Sequence, residues 1–176
     1  MPGVVANGGF ESYGGKSTAE SMTISPGSGE LTGWTVQGVV KRIKGDKSTW
    51  GAPGAVDGSW IAGLHAREQE GSLTTTLRAL KPGSGYLLRW SERDRKGFAS
   101  KTVRVSVDGQ VVYAEHVVPD AWTKREVYFT PEHTTAVLEF YDKGQDADGT
   151  AFLDAVTVTL AGQGHGYSYY YNTCYS

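Results

Sequence analysis

Apolar residues in this chain recur at every second position far more often than at helical spacing. Lys101-Thr102-Val103-Arg104-Val105-Ser106-Val107 alternates cleanly, so Val103, Val105 and Val107 face one way and Thr102, Arg104 and Ser106 the other. Asp108-Gly109 follows, a pair that accepts the positive φ angles of a two-residue hairpin, and the chain returns over Gln110 to His116. Tyr86 to Ser91 is another strand, reached from the turn Lys81-Pro82-Gly83-Ser84-Gly85, with Tyr86, Leu88 and Trp90 on its apolar face. Ser72 to Leu77, Thr123 to Phe129, Thr134 to Tyr141, Trp34 to Val40 and Ser59 to Leu64 read the same way. The last strand runs over Ala151 to Thr159, with Phe152, Val156 and Val158 on one face and Asp154 aligned with them. Gly or Pro interrupts the remaining apolar stretches, and no amphipathic helix emerges.

About nine strands at regular spacing predict an all-β protein, a two-sheet antiparallel β-sandwich of jelly-roll type. Residues 13–31 and 45–58 read as long polar loops, the second carrying Trp50. Residues 162–176 form a Gly/Tyr/Ser-rich tail too poor in aliphatics for a core strand, which leaves residues 1–161 as the folded domain. A chain of 176 residues buries a full core without staples, and 24 glycines suit a turn-rich β protein. The formal net charge of −2 offers no general basis for neutralising phosphates, so nucleic acid is not an expected partner. No apolar run is long enough for a spanning helix, and membrane insertion is not expected. The single Cys174 excludes an intramolecular disulfide and a cysteine zinc site; it is a free thiol or an intermolecular crosslink. The chain reads as a domain taken from a longer precursor, with no signal peptide at its start.

Catalytic chemistry finds little footing. Gly14-Gly15-Lys16-Ser17 lacks the earlier glycine a phosphate loop requires, because position 10 is Phe. Asp146-Ala147-Asp148-Gly149 reads as a solvated turn. His65, His116, His133 and His165 are scattered, and the neighbours Glu115 and His116 point to opposite faces of a strand. The chain is therefore expected not to be an enzyme.

Binding is better represented. Arg89 and Arg93 lie on the outward face of one strand and Arg104 on that of another. If those strands are neighbours, the three make one basic sheet face, with Tyr113 and Tyr141 as aromatic additions. The alternative is an ordinary solvated face whose arginines pair with Glu92, Asp94 or Glu139. Trp50 is the candidate for exposed stacking, Trp34, Trp90 and Trp122 read as core, and Trp60 stays open. An arginine-rich face with few stacking rings favours uronic or sulfated glycans. Asp154, aligned with core side chains, needs a compensating cation or several donors. Glu11 is the natural second carboxylate for a Ca²⁺ ion, while backbone N–H groups or an arginine are the alternative partners of Asp154.

The order of phrases carries more. Asn7-Gly8-Gly9-Phe10-Glu11, Leu31-Thr32-Gly33-Trp34 and Asp57-Gly58-Ser59-Trp60-Ile61-Ala62-Gly63-Leu64 are followed by Leu80 to Tyr86, by Trp122 ahead of Phe129-Thr130, and by Phe152-Leu153-Asp154. Over roughly residues 5–160 this resembles galactose-binding-like carbohydrate-binding modules, the kind attached to xylanases and cellulases and found in secreted cell-wall domains. The resemblance implies a two-sheet jelly roll with a structural Ca²⁺ joining the N-terminal segment to the last strand. By position its ligands would be Glu11, Asp154 and a carbonyl near Gly9, although Ala155 stands where many relatives carry a second acidic or amide residue. The expectation is a non-catalytic, Ca²⁺-stabilised module that binds extracellular or cell-wall polysaccharide. A structural or adhesive module, binding protein through a sheet face or the tail, is the alternative.

Overall fold

The computed structural model describes residues 4–46, 50–65, 70–98, 100–117, 121–142 and 148–161. The tail with Cys174 and the Asp146-Ala147 pair lie outside them. Among the described residues there are eleven strands and no helix, hence none long and apolar enough to cross a membrane. The strands are β1 (Ser21–Ile24), β2 (Thr35–Gln37), β3 (Val40–Lys44), β4 (Trp60–Leu64), β5 (Gly71–Leu77), β6 (Tyr86–Asp94), β7 (Thr102–Val107), β8 (Gln110–His116), β9 (Thr123–Phe129), β10 (Ala136–Asp142) and β11 (Ala151–Leu160). They form a six-stranded sheet, β1-β3-β4-β11-β6-β9, and a five-stranded sheet, β2-β5-β10-β7-β8, with every pairing antiparallel. The two-sheet β-sandwich is as expected.

The β7–β8 hairpin turns on Asp108 and Gly109, both at positive φ, as their residue types predict. Two elements differ from expectation. The segment 34–40 is two strands in different sheets. It breaks at Gly38, whose φ is 62° and where a Cβ would overlap the Glu70 carbonyl oxygen. The loop 13–31 contains β1, in which Met22 and Ile24 alternate into the core.

The core between the sheets is aromatic at its centre. Phe10, Trp34, Phe140, Trp90 and Tyr113 form a chain of ring contacts 4.9–6.2 Å apart. Leu73, Leu88, Val103, Val105, Leu138 and Leu153 pack around them. Burial of this kind contributes about 25 cal/mol per Å² of apolar surface and is what holds the sheets together. The N-terminal phrase serves this core. Asn7 bonds Ser12 and Thr32 through its amide, and its carbonyl accepts the Trp34 indole N–H at 3.0 Å. Phe10 is thereby set into the core fully buried.

A second, smaller cluster lies on the outer face of the six-stranded sheet. Ile43, Ile61 and Phe152 are buried there beneath Trp50, Ala52 and Ala55 of the 45–58 loop, with Trp122 beside them. The expected single-face reading of β11 is corrected by a β-bulge. Pairing with β6 slips between Asp154 and Thr157, and Ala155 takes a φ of 53°. Before the bulge Leu153 faces the main core while Phe152 and Asp154 face outward; after it Val156 and Val158 face inward. Phe152 and Asp154 therefore share a face with each other, not with the two valines.

Candidate functional site

Strand alternation projects a polar grid from the outer face of the five-stranded sheet. Register places Gln37, Ser72, Tyr141, Arg104 and Ala114 in one row across β2, β5, β10, β7 and β8. A parallel row holds Thr35, Thr74, Glu139, Ser106 and Val111. Gln37, Gly38, Glu70, Ser72, Glu139 and Tyr141 line a depression of about 350 Å³ on this face. Small hydroxyl side chains on β5 and β7 keep the surface low, so Tyr141 and the planar groups of Gln37, Glu139 and Arg104 stand as its features. Glu139 accepts a long hydrogen bond of 3.5 Å from Ser106. The Nε of Arg104 is buried and has no hydrogen-bond partner among the described residues. A guanidinium donor without an acceptor is costly to bury.

The sequence-predicted binding residues do not gather on one surface. Arg104 and Tyr141 stand opposite each other on β7 and β10, which places them in the row just described. Arg89 and Arg93 belong to β6 in the other sheet, so the expected trio of arginines on one face does not form. Arg89 is exposed and paired with exposed Glu126 at 3.1 Å, a partner other than the expected Glu92, Asp94 or Glu139. Arg93 is half-buried on the outer face of the six-stranded sheet, opposite Phe152. Tyr113 points inward, and its hydroxyl donates to buried Glu92 at 2.7 Å, so it belongs to the interior. Trp50 is half-buried against the second cluster, with Lys41 and Arg95 each over its ring. It is not a bare stacking platform. Trp34 and Trp90 are core as expected, Trp122 packs on the second cluster instead, and Trp60 lies under the Arg42 guanidinium at 3.6 Å.

Sequence reasoning missed Gln37, Glu139 and Ser72 as members of the face. The alternation of β5 and β10 was visible, but which strand lies beside which was not. It also missed a buried polar network inside the sandwich. Glu92, fully buried, accepts from Arg125 Nε at 2.8 Å, from Tyr113 and from the Trp90 indole at 2.9 Å. Nearby, Lys101 Nζ lies 3.7 Å from Asp142, and Asp94 accepts the Lys101 backbone N–H. Burial foremost, with the charges of Asp142 and Glu92 adding to it, pushes Asp94 up to about 6.

The two carboxylates expected to hold Ca²⁺ are occupied by backbone donors. Asp154, with no exposed surface, accepts N–H bonds from Val56 at 2.7 Å, Asp57 at 3.0 Å and Ala155 at 2.6 Å. Glu11 Oε1 accepts from the N–H groups of Ser59 and Trp60 at 2.8 and 2.7 Å. Gly9 lies against the Asp57 carboxylate, while the neighbouring Gly8 carbonyl accepts the Val156 N–H at 3.0 Å. A Ca²⁺ ion takes six to eight oxygens, and among the described residues no group of three or more His, Cys, Asp or Glu is arranged to hold a metal. This donor set fits the ion poorly. It fits a clasp instead, in which two carboxylates tie the 54–60 segment to the N-terminal phrase and to β11. Burial pushes Asp154 up to about 6, with its three N–H bonds opposing that shift and the Asp57 charge adding to it.

Comparison with solved structures returns the same architecture. TmCBM61, a structure in complex with β-1,4-galactotriose, aligns with a TM-score of 0.61 at 18% identity, covering 90% of this chain and 99% of that one. The CBM22-1 xylan-binding domain from Paenibacillus barcinonensis Xyn10C gives 0.53 at 18% identity, covering 80% and 92%. A family 35 carbohydrate-binding module from Clostridium thermocellum gives 0.52 at 17% identity, covering 81% and 100%. At these identities the likeness shows the fold, the jelly roll of carbohydrate-binding modules. No curated protein shows significant sequence similarity. Residues 3–159 match the family described as DUF642, protein of unknown function, and the chain belongs to that family.

Proposed function

We propose that this protein is a non-catalytic polysaccharide-binding module that takes a glycan chain across the outer face of its five-stranded sheet. The observation that carries the reading is the polar row Gln37, Ser72, Tyr141 and Arg104, which runs beside the depression lined by Gln37, Glu70, Glu139 and Tyr141. A row crossing five strands spans about 19 Å, four interstrand spacings, enough for an oligosaccharide rather than a single sugar. Sugar recognition asks for a ring against a C–H patch and planar groups for hydroxyls, which Tyr141, Gln37, Glu139 and Arg104 offer. The named ligands of two similar structures, β-1,4-galactotriose and xylan, are linear glycans and support the reading.

The acidic preference expected from three clustered arginines loses its basis on this face. One arginine there stands against Glu70 and Glu139, so the row is read as a site for a neutral, hydroxyl-rich chain. An extracellular or cell-surface setting accompanies the proposal. The test is retention on insoluble galactan and xylan, with Tyr141→Ala and Gln37→Ala as variants. Retention by the wild type and its loss in both variants, with unchanged melting and no reducing sugar released, is the expected outcome. Retention that survives both changes, or sugar release, contradicts the proposal.

A further inference from the structure

The opposite face holds a concentration of positive charge that its packing does not require. The Trp50 ring has Lys41 Nζ at 4.2 Å and the Arg95 guanidinium at 4.3 Å from its centroid, and Arg95 also lies 3.9 Å from the Phe98 ring. Either cation alone would suffice to hold the indole. Lys41 donates to Thr23 Oγ1 at 3.0 Å and Arg95 Nε to the Trp50 carbonyl at 2.9 Å. Among the described residues neither forms an ion pair. Their charges also work against each other: burial first, and then the charge of Arg95, pull the Lys41 ammonium below its ordinary range. Arg93 lies in the same cross-strand row as Lys41, separated from it by Phe152 and Gly63. His65 meets the Trp50 edge at 5.2 Å and lies 3.9 Å from half-exposed Asp148, a carboxylate that is not within ion-pair distance of Lys41 or Arg95. Exposed Phe98 extends the apolar surface beside the cations.

Cations held together on an apolar ring without a counter-charge are relieved by an anion that both can reach. We propose that Lys41 and Arg95, presented on Trp50, form an anion subsite for the carboxylate or sulfate groups of an acidic polysaccharide. This subsite is separate from the row on the five-stranded sheet. Only the choice of a glycan as carrier of the anion rests on the functional reading above.

The experiment uses the full chain with polygalacturonate and dextran sulfate as polyanions, inorganic sulfate as the free anion, and galactan as the probe of the other face. Binding is read by affinity electrophoresis and by tryptophan emission. Polyanion binding should weaken as salt rises. It should be weaker by about tenfold or more in the Lys41→Gln, Arg95→Gln double variant, the scale of losing charge-assisted hydrogen bonds. Galactan retention should be unchanged in that variant, and Lys41→Arg with Arg95→Lys should keep polyanion binding even if the double Gln variant melts early. Polyanion binding that is equal in the double Gln variant, or absent in the wild type, overturns the proposal. So does inorganic sulfate binding as tightly as either polymer, because the site would then take a free anion. Loss of galactan retention alone would count against the other face and leave this one standing.

Discussion

Replacing Asp154 with alanine removes the acceptor that holds the loop segment at Val56 and Asp57 onto β11. Two N–H bonds from that segment and a third from Ala155 lose a charged acceptor, about 1.5–3 kcal/mol each. Even with those bonds in place, burial makes this carboxylate costly to keep ionised. A shift from 3.8 to about 6 corresponds to about 3 kcal/mol at neutral pH, at about 1.36 kcal/mol per unit. The pH dependence is the sharper readout. With the folded pKa above the unfolded one, the native state binds more protons between about pH 4 and 6, so wild-type stability rises as pH falls through 6. From about pH 7 to about pH 5 the gain is about 1.3 kcal/mol for one such group. Asp94, also raised to about 6 by burial, adds a similar gain that the variant keeps. Denaturant melts of both proteins across this range should therefore show the penalty of Asp154→Ala growing by about 1.3 kcal/mol on acidification. A chelator should leave both melts unchanged. A calcium ion on this carboxylate would hold it ionised and reverse the pattern. A wild-type melt lowered by chelator, or a penalty that shrinks on acidification, would refute the clasp.

Other outcomes follow from the same geometry. Arg125→Met strands fully buried Glu92 without its charge partner and should cost about 3–5 kcal/mol, whereas Tyr113→Phe removes one neutral donor and should cost about 1–2 kcal/mol, both read by urea melts. Gly38→Ala should destabilise by more than about 1 kcal/mol, because it combines a positive φ with overlap on the Glu70 carbonyl; Gly109→Ala, with open space around it, should cost only the conformational part. Deleting residues 162–176 should leave the melting temperature nearly unchanged, since that tail has little aliphatic surface to bury, and a loss of several degrees would show that its tyrosines pack on the sandwich.

Within single strands the chain was legible. The inward and outward sets of β6 and β7, and the hairpin at Asp108-Gly109, follow directly from period-two alternation and turn chemistry. What alternation does not carry is the neighbour relation between strands. β6 and β7 are consecutive but lie in different sheets, so Arg89 and Arg104, correctly assigned as outward, face away from each other across the whole sandwich. β3 was hidden because Lys41, Arg42 and Lys44 make it look polar. In fact Arg42 is buried, donating to the carbonyls of Phe10 and Glu11 and stacked on Trp60. The inward positions Glu92 and Asp94 were readable by continuing the alternation of Tyr86, Leu88 and Trp90, had their charge not argued otherwise. The bulge at Ala155 left no such trace, because alanine is an uncommon residue at positive φ.

The binding face is tested most directly by amide chemical-shift mapping of the isotope-labelled protein during titration with galactan and xylan oligosaccharides. The account predicts saturable shifts concentrated at Gln37, Ser72, Arg104, Glu139 and Tyr141, with the outer face of the six-stranded sheet silent. Shifts confined to the loops at the sandwich edge or to the six-stranded face, or no shifts with any neutral glycan, would contradict it.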